Sequence, residues 1–90
     1  MRTVVLDCAQ MTSREAAHDC LARELSFPDW YGRNLDALYD LLTGYVGPIR
    51  LELVHLPALD ALGGYGRALL GTMEEAAGES SGLELVIREE

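Results

Sequence analysis

Three short segments of this chain have the composition of β-strands, and helical stretches separate them. The strand-like segments are residues 2–7, 49–54 and 83–88, and the last two alternate apolar and polar side chains. Strands joined through a helix usually pair in parallel, because the connection must cross back over the sheet. The alternation also indicates that one face of the sheet meets water. The sequence therefore predicts a two-layer α/β fold, in which three to four helices pack against a three-stranded parallel sheet.

The first two helical segments carry start and stop signals. Thr12 and Glu15 form a T-x-x-E capping box, which predicts a first helix over about residues 13–25. Asn34 is a favourable N-cap for a second helix, and Gly44 is predicted to lie just past its end.

A third helix is predicted over residues 66–78, where Leu69, Leu70 and Met73 recur at helical spacing. The GGYG sequence at residues 63–66 is interpreted as a flexible break before it. Strands and helices together give the order β–α–α–β–(α)–α–β, where the helix in parentheses is the short apolar run that ends at Leu62.

Length and charge limit what the chain can do. Ninety residues provide one hydrophobic core, so residues 1–90 are expected to form a single domain. Fifteen acidic residues against seven basic ones give a net charge of −8, and none of the basic residues is lysine. Nucleic acids and anionic membranes attract basic proteins, so neither is an expected partner. A basic protein partner suits this charge better.

Cysteine and histidine usage favours structural roles. Cys8 and Cys20 form no C-x-x-C pair, and no export signal is visible, so both are expected to be free thiols in a cytoplasmic protein. Cys8 follows a strand and could be exposed and reactive, whereas Cys20 lies on the apolar side of the first helix. His18 and His55 are isolated in the sequence, and both are interpreted as structural.

Residues 27–47, FPDWYGRNLDALYDLLTGYVG, combine many rings with many carboxylates. They contain five of the six aromatic residues of the chain, with three aspartates among them. Asp36 and Asp40 share one face of the second helix, although like charges at i, i+4 spacing destabilise a helix. Aromatic rings and carboxylates on one surface favour binding to a basic, concave protein. At least one of Trp30 and Tyr31 is expected to face inward.

Catalytic motifs do not accompany this surface. The sequence has no nucleophile elbow, dinucleotide-binding glycine motif or Walker loop. A metal-dependent enzyme remains an alternative, because Asp36, Asp40 and Glu75 could together hold magnesium. No phosphate-binding loop or general base supports that alternative. The chain is therefore predicted to be a binding protein without a cofactor, and not an enzyme.

The stretch FPDWYGRNLDALYDLLTGYV, residues 27–46, closely resembles the barstar family of intracellular ribonuclease inhibitors. The family pattern P-x-[YW]-[YW]-G-x-N-L-D-A-L-x-D matches here at fixed spacing. The resemblance implies a small parallel sheet with helices, and inhibition instead of catalysis. It implies that the second helix and the preceding loop block the active site of a secreted guanyl-preferring ribonuclease of the barnase or Streptomyces type. The free inhibitor is expected to be a monomer.

The resemblance also implies roles for individual residues. Asp40 would take the place of a substrate phosphate, and Asp36 and Glu75 would meet basic groups at the rim of the active site. Trp30 would pack over a catalytic histidine, and the remaining residues would supply shape and backbone contacts. The implied partner-binding residues are Trp30, Tyr31, Gly32, Asn34, Leu35, Asp36, Tyr39, Asp40, Tyr45, Val46 and Glu75.

Some positions depart from the family pattern. Gly47 replaces an acidic residue, and Tyr39 and Tyr45 stand where the family prototype has tryptophans. Arg33 is expected to place a positive charge inside the acidic surface. These departures suggest a different cognate ribonuclease, one with an acidic group near Arg33. An alternative keeps the fold and the acidic surface but changes the partner to another basic protein or toxin.

Overall fold

The computed structural model describes residues 2–88 and confirms the α/β fold. Its three strands are all parallel, with β2 in the centre of the sheet. Two 3-10 segments, Cys8–Gln10 and Leu56–Leu62, connect the larger elements. The strands and α-helices are, in chain order, β1 (Arg2–Asp7), α1 (Arg14–Leu25), α2 (Leu35–Gly44), β2 (Ile49–Val54), α3 (Gly64–Glu79) and β3 (Leu83–Ile87).

The two faces of the sheet differ as the alternation predicts. Ile49, Leu51 and Leu53 of the central strand are completely buried and join a core formed with the helices. On the opposite face, the side chain of Glu52 pairs with Arg50 at 3.3 Å and accepts a hydrogen bond of 3.1 Å from the Arg88 guanidinium. Charged side chains on that face therefore pair with one another, and the helices cover the apolar face.

Helix α1 begins one residue later than its predicted start, with a different cap. Ser13, and not Thr12, is the N-cap, and its hydroxyl oxygen accepts a hydrogen bond of 3.0 Å from the Ala16 N–H. Ser13 has the extended backbone that a cap requires, with φ −151° and ψ 167°. Glu15 consequently lies in the first turn, where its charge is favourable to the helix dipole.

Helix α3 is longer than its predicted range of 66–78, and the glycine-rich segment before it is not a flexible break. The helix already begins at Gly64, so most of the GGYG sequence is helical. Gly66 is buried against the 3-10 segment, and a Cβ atom built on it would overlap the carbonyl oxygen of Leu59. Glycine is needed here for close approach of two backbones. At the other elements, Gly44 is the last residue of α2, and β3 ends one residue early, at Ile87.

Both cysteines are free and buried. The expectation of free thiols is confirmed, whereas the possible exposure of Cys8 is wrong, because the 3-10 segment after β1 turns its side chain into the core. Burial, with a contribution from Asp7, raises the pKa of the Cys8 thiol to about 11. A thiol with that pKa is protonated at neutral pH and is a poor nucleophile.

His18 is the one buried charged or polar side chain of the described core, and it is fully hydrogen-bonded. Its Nδ1 lies 2.6 Å from the Tyr31 hydroxyl, and its Nε2 lies 2.5 Å from the Tyr65 hydroxyl. These contacts join α1 to the loop before α2 and to the first turn of α3. The structural interpretation of His18 is thereby confirmed.

Acid should destabilise the protein partly through His18. Burial, together with nearby Arg14 and Arg33, lowers the pKa of His18 below its ordinary value of 6.5. When the pH is below this ordinary pKa, the unfolded chain binds a proton that the folded protein does not. The free energy of unfolding therefore decreases as the pH is lowered. The fall is at most about 1.4 kcal/mol per pH unit until the folded-state pKa is reached.

We expect His18→Gln to reduce this loss, measured by urea unfolding at about pH 7 and about pH 5. His55→Gln is the matched control, because His55 is exposed and pairs with Asp7 at 2.8 Å on the surface. Equal pH dependence in the parent and His18→Gln would contradict the prediction.

Candidate protein-binding surface

The outward side of α2 presents two carboxylates to solvent. Asn34 caps the helix, with its side-chain oxygen accepting a 2.8 Å hydrogen bond from the Ala37 N–H. Leu38 and Leu42 anchor the opposite side of the helix in the core. This anchoring leaves Asp36 and Asp40 exposed, and within residues 2–88 neither carboxylate forms a hydrogen bond or ion pair. Both side chains are therefore available to a partner.

Asp40 lies in a groove with aromatic walls, which we call the ring groove. The groove has a volume of about 560 Å³. Trp30 is 72% exposed and Tyr45 is 49% exposed, and their rings meet edge to face with centroids 6.4 Å apart. An open groove lined by a carboxylate and two exposed rings suits insertion of cationic or aromatic groups of a partner. The ring groove is lined by Trp30, Gly32, Ala37, Asp40, Leu41, Gly44 and Tyr45.

A second, smaller concavity lies where α2 packs on α3. It brings Glu75 of α3 together with Asp36 and Tyr39 of α2 in a space of about 210 Å³. The pKa of Tyr39 is raised, first by burial and then by the negative charges of Glu79, Glu75 and Asp40. The acidic groups of both helices thus act on one region of the surface.

Tyr31 is the exception among the expected partner-binding residues, because its side chain is only 7% exposed. Its hydroxyl bonds to His18, and its ring packs against Phe27 with a centroid distance of 4.7 Å. The expectation that one of Trp30 and Tyr31 faces inward is confirmed for Tyr31. Its side chain holds the loop in place, while its neighbours Trp30 and Gly32 reach the surface.

Comparison with known proteins assigns this chain to a family. A family model described as "Barstar (barnase inhibitor)" matches residues 1–88. The chain belongs to the barstar family. A relative from Bacillus subtilis strain 168, named "Putative ribonuclease inhibitor YrdF", is 42% identical over 81 residues. The match covers 88% of this chain and 89% of that relative. The resemblance noted in residues 27–46 is confirmed, and both findings support a role in ribonuclease inhibition.

Most expected partner-binding residues of this barstar-family chain lie at the surface. Gly32, Asn34 and Glu75 are exposed, and Leu35 and Val46 are half-buried. Sequence reasoning missed Glu79, although its i, i+4 spacing from Glu75 on α3 was a signal for it. It also missed Ala37 and Gly44, the small residues of α2 that line the ring groove, since residues of this type are usual on any helix.

Arg33 does not direct its charge into the acidic surface. Its backbone has φ 55°, and its guanidinium pairs with Asp19 of α1 on the other side of the loop. The guanidinium is thus paired with a carboxylate of α1 and with none of the exposed carboxylates of α2 and α3. In this barstar-family protein, Asp40 and its ring groove therefore keep their negative charge despite the nearby arginine.

The metal alternative finds no matching geometry. Within residues 2–88, no group of three or more His, Cys, Asp or Glu side chains is arranged to hold a metal ion. Asp36, Asp40 and Glu75 accordingly do not form a metal site.

Among the helices of residues 2–88, none has the length and apolar character of a membrane-spanning segment.

Proposed function

We propose that this protein inhibits a secreted, guanyl-preferring microbial ribonuclease of the barnase or Streptomyces type. Helix α2 and the loop over residues 28–34 would cover the active site of the enzyme and exclude RNA. The observation that carries this proposal is the exposed, unpaired carboxylate of Asp40 in a groove walled by Trp30 and Tyr45. Membership of the barstar family supports the same function.

Asp40 is the proposed counterpart of an RNA phosphate. An enzyme that cleaves RNA must hold a phosphate with basic side chains, and a carboxylate can accept charge-assisted hydrogen bonds from the same groups. Burying Asp40 in the complex costs solvation, which only several correctly placed donors can offset. An active site built for phosphate provides such donors, whereas an ordinary basic surface does not.

The rest of the surface would supply rim contacts and shape. Asp36 and Glu75 would meet basic groups around the active site, and Glu79 would add to their field. The rings of Trp30 and Tyr45 would bury apolar area, as amphipathic rings do at binding hot spots. Backbone and shape contacts are proposed for Gly32, Asn34, Leu35, Tyr39 and Val46, while Tyr31 would hold the loop from within.

The net charge of −8 would speed the encounter with a basic enzyme. Electrostatic steering raises association rates to about 10⁸–10⁹ M⁻¹ s⁻¹ at low salt. A monomeric, cytoplasmic inhibitor with that rate would protect cellular RNA from a ribonuclease that had not been exported.

The test is RNA cleavage by purified barnase-type and Streptomyces-type ribonucleases with this protein added at equal molarity. We expect stoichiometric loss of activity for the cognate enzyme, with a complex of one copy of each protein in analytical ultracentrifugation. A basic ribonuclease of unrelated fold, such as a pancreatic-type enzyme, controls for nonspecific attraction between opposite charges. If none of the microbial enzymes is inhibited, the proposal fails, and capture of a different basic protein by the acidic surface becomes the alternative.

A further inference from the structure

A separate groove is lined partly by Arg33, in the loop that carries Trp30. It lies at the start of α1, has a volume of about 450 Å³ and includes the side chains of Arg14 and Arg33. Arg33 follows Gly32 directly, and Gly32 lines the ring groove. The two grooves are therefore lined by consecutive residues of one loop. The α1 groove is lined by Ser13, Arg14, Glu15, His18 and Arg33.

The α1 groove contains basic side chains, although the chain as a whole is acidic. Two of the seven basic residues line it. The guanidinium carbon of Arg14 lies 4.7 Å from the centroid of the Tyr65 ring, and no carboxylate within residues 2–88 forms an ion pair with Arg14. Stacking on an aromatic face leaves the edge N–H groups of a guanidinium able to donate hydrogen bonds. Both arginines act electrostatically on the buried His18.

We propose that the α1 groove receives an acidic side chain of the ribonuclease that binds at the neighbouring surface. The inference rests on the proposed function and adds a feature of the partner: a carboxylate beside its basic active site. Glu15 lines the same groove and Asp19 pairs with Arg33, so the groove has no excess of positive charge to attract a free anion. A carboxylate held in place by a docked protein can still pair with Arg14, which has no ionic partner within residues 2–88. Arg14 can bind that carboxylate through two parallel N–H···O bonds. This contact would distinguish the cognate enzyme from other basic ribonucleases.

The substitution Arg14→Glu tests the proposal through the sign of its effect. Against a basic enzyme, losing one positive charge and gaining one negative charge should by themselves strengthen attraction and speed association. The proposal predicts the opposite: a rise in Kd of about fivefold or more, because the carboxylate of the enzyme meets a like charge. The measurement is surface-plasmon-resonance titration against whichever ribonuclease of the panel the parent inhibits.

Arg67→Glu is the matched control, with the same change in charge. Arg67 is exposed and lines a different groove, between α3 and the 3-10 segment Leu56–Leu62. This variant should bind as tightly as the parent or more tightly. Glutamate is tolerated at the first position of a helix, so Arg14→Glu is expected to fold, and Arg14→Gln serves as the milder variant if it does not.

The outcomes separate the two proposals. If Arg14→Glu inhibits as tightly as the parent, or more tightly, the acidic contact is overturned while the inhibitory function stands. If the parent inhibits none of the ribonucleases, the proposed function fails and this inference fails with it. Exchanging acidic residues of the enzyme for lysine, one at a time, should identify one position that restores the affinity of Arg14→Glu.

Discussion

Asp40→Ala is expected to weaken binding to the cognate ribonuclease by at least about 3 kcal/mol, more than any other single substitution. A loss of this size is typical of buried charge pairs at protein interfaces, among which the prototype complex of the barstar family is the standard example. The physical reason is that removing the carboxylate leaves several basic groups of the enzyme buried without a partner. At about 1.4 kcal/mol for each factor of ten, the expected Kd rises by more than about a hundredfold.

Isothermal titration calorimetry of the parent and the variant measures this effect. Asp60→Ala is the matched control, because it removes the same charge from an exposed residue in a groove between α3 and the 3-10 segment. The control variant should lose only a little affinity, because weaker electrostatic steering mainly lowers the association rate. Equal affinity of Asp40→Ala and the parent would reject the phosphate-mimic role. If Asp60→Ala lost as much affinity as Asp40→Ala, the loss would be explained by the net charge of the protein and not by the position of Asp40.

Gly66→Ala is expected to destabilise the folded protein by about 1–3 kcal/mol. Alanine normally favours a helix over glycine, so propensity alone predicts a gain of up to about 1 kcal/mol. Here the added methyl group would overlap the carbonyl oxygen of Leu59, which is backbone and cannot rotate away. The helix α3 and the 3-10 segment must move apart, and the packing between them is lost. Urea unfolding followed by circular dichroism measures the change.

Gly71→Ala, on the same helix, provides a control of opposite sign. Apart from its chain neighbours and the backbone of its own helix, no heavy atom within residues 2–88 lies within 4 Å of the position where its Cβ would be. It should therefore raise the free energy of unfolding by up to about 1 kcal/mol through propensity alone. Stabilisation by both substitutions would show that the contact between Gly66 and Leu59 adjusts without cost. Destabilisation by both would point to a general intolerance of α3 to alanine.

The regular elements were predictable because their signals are local. Alternation of apolar and polar residues over 49–54 identified a strand with one wet face, and Glu52 indeed forms ion pairs on the outer side of β2. The order of strands and helices was enough to predict parallel pairing. Errors occurred where several neighbouring residues could serve equally. Thr12 and Ser13 both have a hydroxyl, and only the backbone conformation of the folded chain selects Ser13.

The candidate binding surface was predicted from a motif, but its shape was not. The helical period divides the residues of α2 into an apolar side and a polar side. The exposure of Asp36 and Asp40 was therefore predictable, because Leu38 and most other leucines of the apolar side are buried in the core. The loop before α2 has no regular spacing of apolar and polar residues. Nothing local decides that Tyr31 turns inward to His18 while Trp30 stays exposed.

What the sequence by itself determined is the set of elements and the family: three strands, the amphipathic α2, and the motif of residues 27–46. Tertiary structure alone decided which distant groups meet. Packing of α2 on α3 brings Glu75 beside Asp36, and folding of the loop onto α1 turns Arg33 toward Asp19. Short-range periodicity reports which side of one element is apolar. Contacts between elements depend on how whole faces fit together, and that fit is a property of the assembled core.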